Sequence, residues 1–116
     1  MLFRTFAVHI TLNRMHTPAL SSEEQAAIHV ALAWVITDWD WEMPTRTGHE
    51  LQDFRAVAEN WPEALNSSPS MSASAAHGAV REFWEAHRNA AEMLSLSPES
   101  LATLMQKLLK WVDDAV

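Results

Sequence analysis

The residues best able to do chemistry stand together in Asp38-Trp39-Asp40-Trp41-Glu42. Alternating carboxylates suit a hard cation, and D-x-D-x-[DN] opens a calcium loop. Such a loop also needs glycine at its sixth position and an acid at its twelfth, and neither follows here. A D-x-D pair can hold magnesium against a diphosphate, but so short a pattern recurs by chance. Recognition is the other chemistry these types offer. Tryptophan anchors many protein interfaces, and a carboxylate beside it can pair with Arg or Lys of a partner. Asp38, Trp39, Asp40, Trp41 and Glu42 are therefore the candidate partner-binding residues. The plain alternative is a helix end whose tryptophans tuck into the core.

Histidine offers less. His49-Glu50-Leu51-Gln52-Asp53 starts like the zinc motif H-E-x-x-H, but Asp53 occupies the place of the second imidazole. Glu82 and Glu85 precede His87 at the wrong offsets for the Glu-x-x-His pair of di-iron bundles. No metal or cofactor is expected. His29 lies among apolar residues, and His87 falls on the apolar stripe of a later helix, so this pair is the one internal candidate for a small ligand. Nucleophile elbow, P-loop and dinucleotide fingerprint are all missing from the sequence, and cysteine is absent. Residue order alone does not decide whether a Ser-His-Asp triad forms. The chain reads as a binding protein more than as an enzyme.

Charge sharpens that reading. Eight Lys and Arg stand against fifteen Asp and Glu, a net charge of −7. A negative surface repels phosphate backbones, which argues against nucleic acid. It attracts a basic partner and speeds the encounter. The chain's 116 residues suit one helical domain, and its two glycines argue against a loop-rich all-β fold. No apolar run approaches the roughly 20 residues of a membrane span, and the N-terminus lacks a signal-peptide cleavage pattern. A cytoplasmic protein is expected.

These residues need elements to hold them. Ala26 to Ile36 is apolar except at His29, so the first helix, over 22–41, is expected at the centre of the core. Ser21 and Glu24 form its capping box. Asp38, Asp40 and Glu42 then fall at its negative end, an electrostatic conflict that suggests a functional purpose. A second amphipathic helix is expected over 48–66, broken near Asn60 by Pro62. Serine-rich 66–75 reads as a flexible linker. Helices at 75–95 and 98–115 follow. On the first of these, Glu82, Glu85 and Glu92 with Arg81 and Arg88 make a solvated face, and Ser97-Pro98-Glu99 starts the second. Residues 1–13 are expected to form an N-terminal extended arm or strand. Alternation over Leu2–Leu12 favours a strand, while three- and four-residue spacings leave a helix open.

The expected architecture is mostly α: a small four-helix bundle-like domain, with Trp34, Ile28, Leu32 and Val35 buried against Leu104, Leu108, Phe83 and Phe54. The expected function is that of a non-enzymatic, acidic inhibitor, immunity protein or antitoxin covering a basic protein. A small-molecule or metal-binding bundle, using His29 and His87, is the second reading. A structural subunit, dimerising through an unpaired strand at Leu2–Leu12, is the third.

Overall fold

The computed structural model describes residues 19–115, and these are mostly helical with no strand among them. The strand expected at Leu2–Leu12, and the homodimer built on it, lie outside the described residues. Helix α1 is Ser22–Thr37, α2 Met43–Thr47, α3 Leu51–Glu59, α4 Ala64–Ser67, α5 Pro69–Ala86, α6 Ala90–Met93 and α7 Pro98–Ala115. None of the described helices is long and apolar enough to cross a membrane.

Helix α1 begins as its sequence requires. The Ser21 hydroxyl accepts from the Glu24 N–H at 3.1 Å, and Glu24 accepts from the Ser21 N–H at 2.9 Å. It ends earlier than expected, at Thr37, with the Asp38 N–H donating to the Trp34 carbonyl at 2.8 Å. Continuing to 41 would have set three acids on the dipole's negative end after the β-branched run Val35-Ile36-Thr37. Nor is α1 buried all round. Ala27, Ile28, Ala31, Leu32 and Val35 face inward, whereas Ala26, His29, Val30 and Ala33 are exposed. Alanine exposes little apolar surface, so its outer positions cost little in water.

The central element is instead α5, which packs against every other helix. Its first turns come from the stretch expected to be a flexible linker. Pro69 occupies the opening of the helix, where its missing N–H costs nothing. Ser72, Ala73, Ala75 and Ala76 are all fully buried. Small side chains let neighbouring backbones approach, and the Ser72 hydroxyl finds a partner by donating to the Ala64 carbonyl at 2.7 Å. Polar composition suggested solvent, but here serine works as a small core residue.

The connections follow local chemistry. Pro44 lies in the first turn of α2, and Gly48 closes that helix with φ +80°, a left-handed conformation suited to glycine. Pro62 separates α3 from α4 as expected. The expected 75–95 helix stops at Ala86. After α6, Ser95 takes φ 59° and the Leu96 N–H donates back to the Ala91 carbonyl at 2.9 Å, the pattern of a Schellman turn. Helix α7 spans the expected range, with the Ser97 hydroxyl accepting from the Ser100 N–H at 3.0 Å. Its Leu101, Leu104, Leu108 and Trp111 are buried. Of the eight residues expected in the core, all but Trp34 are buried, and Trp34 lies partly buried against it.

Candidate functional site

The connection from α1 to α2 holds Trp41 out in solvent. Trp39 turns inward, its ring edge-on to Phe54 with centroids 5.7 Å apart. Asp40 accepts from the Glu42 N–H at 2.8 Å, closing an Asx turn around Trp41. Trp41 itself is 84% exposed. Two neighbouring tryptophans thus divide their roles, one as an anchor to the body and one in water.

A single guanidinium fastens the turn. Arg46 reaches Asp40 at 3.0 Å through Nη2 and Glu82 at 2.8 Å through Nε. Glu42 lies 3.9 Å from its Nη1. Arg81 donates to the Arg46 carbonyl at 2.6 Å and stands 3.6 Å from Glu82. The connection is therefore tied to α5 through charge-assisted bonds, which are stronger than neutral ones. Arg46 holds the Asp40 carboxyl below its usual range, chiefly through their hydrogen bond. In turn Asp40, and then Glu82, push the guanidinium upward.

The electrostatic conflict expected at the end of α1 is reduced to Asp38, which caps the helix. Asp40 and Glu42 lie beyond α1, and Glu42 sits at the start of α2, where a carboxylate is favourable. Asp38 and Glu42 do not share a helix, so no like-charge pair spans one turn. Asp38 is exposed and makes no ion pair among the described residues. Charge in excess remains: Asp38, Asp40, Glu42 and Glu82 outnumber Arg46 and Arg81.

The inward histidine pair does not form. His29 lies on the exposed face of α1, because the helix is buried on one side only. His87 follows the last turn of α5, where its Nδ1 is 2.8 Å from the Phe83 carbonyl. Its ring stacks on Phe83 at 4.2 Å and meets the edge of Trp34 at 5.0 Å. Among the described residues no cluster of three or more His, Asp or Glu could hold a metal.

The sequence did not single out Arg46, and it placed Glu82 on a solvated face, whereas Glu82 is 7% exposed. One signal was present. Glu82 continues the three- and four-residue stripe of Ala75 and Ala79, both buried, and a carboxylate on an inward stripe demands a cationic partner.

A second cluster has the order of a hydrolytic triad. Ser74 Oγ is 2.6 Å from His49 Nε2, and His49 Nδ1 is 3.8 Å from Asp53. Its surroundings do not suit acyl transfer. Ser74 stands inside α5, whose interior backbone N–H groups are committed to the helix, so oxyanion donors are missing beside it. Asp53 instead accepts from the Glu50 N–H at 3.0 Å. The cluster tethers the start of α3 to α5. No protein family, curated protein or solved structure matches this chain.

Proposed function

We propose that the chain acts by binding a basic protein, in the manner of an inhibitor, immunity protein or antitoxin, with Trp41 at the centre of the contact. One observation carries the reading: Trp41 is 84% exposed, yet it stands on a turn pinned at Asp40 and Arg46. A large apolar ring held in water costs free energy that burial against a partner recovers. Because the turn is already ordered, little conformational entropy is lost on association. Asp38, Asp40 and Glu42 surround the ring with negative charge, so the complementary surface offers Arg or Lys around an apolar pocket. Trp39 supports the turn from beneath. In this reading α1, α3, α5 and α7 serve as a four-helix, bundle-like scaffold for the contact.

A display library of random peptides, selected on the full-length protein and counter-selected on Trp41→Ala, tests it. Enriched sequences should be basic, and their affinity for Trp41→Ala should fall about tenfold or more, the loss typical of a tryptophan hot spot. Enrichment of neutral or acidic peptides, or equal binding to the variant, contradicts the proposal.

A further inference from the structure

A groove of about 460 Å³ lies where the end of α5, helix α6 and the start of α7 meet. That volume falls within the range of small-ligand sites. Trp84, 46% exposed, forms one wall, and Leu96 and Leu101 supply apolar floor. Arg88, Asn89 and Glu92 also line it.

The charges are the informative part. In the described residues Arg46, Arg81, Lys107 and Lys110 are each within ion-pair distance of a carboxylate. Arg55 and Arg88 are not, although acids outnumber bases in this chain, and of these two only Arg88 lines the groove. Glu92, on the same groove, has no ion pair either among the described residues. Arg88 and Glu92 therefore present opposite, unmatched charges that do not reach each other. A rim of this kind suits a ligand carrying both signs: a carboxylate for Arg88 and an ammonium for Glu92. A dicarboxylate would meet repulsion from Glu92, and a simple amine would meet repulsion from Arg88. The apolar wall and floor suit a hydrophobic side chain that branches from the carbon bearing both charges.

We propose that this groove binds a free α-amino acid with an aromatic or large aliphatic side chain. Arg88 takes the carboxylate, Glu92 takes the ammonium, and the side chain lies against Trp84, Leu96 and Leu101. The site is independent of the Trp41 turn, and its failure leaves the proposed function standing. Affinity for so small a ligand is expected at about the millimolar level or somewhat tighter.

Titration of ¹⁵N-labelled full-length protein with L-phenylalanine, 3-phenylpropionate and phenethylamine, followed by NMR, tests the proposal. Phenylalanine should shift the Trp84 indole N–H saturably, and each single-charge analogue should bind about tenfold more weakly, as expected for loss of one charge-assisted contact. Arg88→Gln should erase the preference for phenylalanine over phenethylamine. Glu92→Gln should erase its preference over 3-phenylpropionate. Both positions are exposed, and unchanged circular dichroism confirms that the variants fold. Absence of saturable shifts at Trp84, equal binding of all three compounds, or phenylalanine binding unaffected by Arg88→Gln overturns the proposal.

Discussion

Arg46 carries more of the site than either tryptophan, because it joins the exposed Asp40 to the buried Glu82. Removing it leaves the buried Glu82 carboxylate with only the longer contact to Arg81, at 3.6 Å. Breaking a fully buried pair costs about 3–5 kcal/mol, but the Arg46 side chain is 36% exposed, so solvent softens the loss. Arg46→Met should destabilise the protein by about 1–3 kcal/mol in urea unfolding at pH 7. Arg46→Met with Glu82→Leu should recover much of that loss, since no buried carboxylate is then left and Arg81, 38% exposed, can turn to solvent. Asp40→Asn should leave stability nearly unchanged and loosen the turn, with its effect read in the Trp41 signal. A double variant no better than Arg46→Met alone would show that Glu82 is satisfied by other means.

At the scale of elements, small residues set the architecture. Helix α5 can touch every neighbour because most of its buried positions are Ala, Ser or Gly, with the larger Val80, Glu82 and Phe83 confined to its second half. Gly78 leaves room for one more methyl: a Cβ there would meet Thr47 Cβ at 3.5 Å, ordinary contact. Gly78→Ala should therefore stabilise the helix by about 0.5–1 kcal/mol, measured by thermal or urea unfolding. The buried Leu32 and Leu108 are the opposite case, and changing either to Ala should cost about 2–5 kcal/mol. The sequence made the capped and striped elements legible. The capping box at Ser21, the stop at Pro62 and the whole of α7 follow from local rules. The linker expected at 66–75 failed because polarity and helix packing compete there: Ser72 is polar by type, but its bond to Ala64 exists only in the folded chain. All-round apolarity likewise misplaced α1, since outer alanines are apolar without being buried. The Arg46–Glu82 bridge spans distant parts of the chain, and sequence spacing reports only near neighbours.

The whole molecule is an acidic body whose stability should fall on acidification for two separate reasons. At Glu24 burial works to raise the carboxyl, but the Lys107 hydrogen bond and the Ser21 N–H outweigh it and hold it below its ordinary 4.5. Its folded pKa is the lower one, so its stabilisation is present above the unfolded value and disappears as pH falls through the folded value. His77 is pushed below 6.5, first by burial and then by Arg81, with Asp113 opposing. The neutral ring is favoured in the fold, so this contribution is also present above 6.5 and lost as pH drops through the lowered value. Urea unfolding from neutral to acid pH should show both losses, and His77→Gln should remove the upper one. The same acidity governs association: fifteen acids against eight bases should make binding of a basic partner fast and salt-sensitive. Incorporation of a photo-crosslinking amino acid at Trp41 in the native host, with the same group at Leu109, 51% exposed, as control, measures this most directly. A protein of basic isoelectric point should be joined at 41 and not at 109. An equal pattern of adducts at the two positions, or an acidic partner at 41, would contradict it.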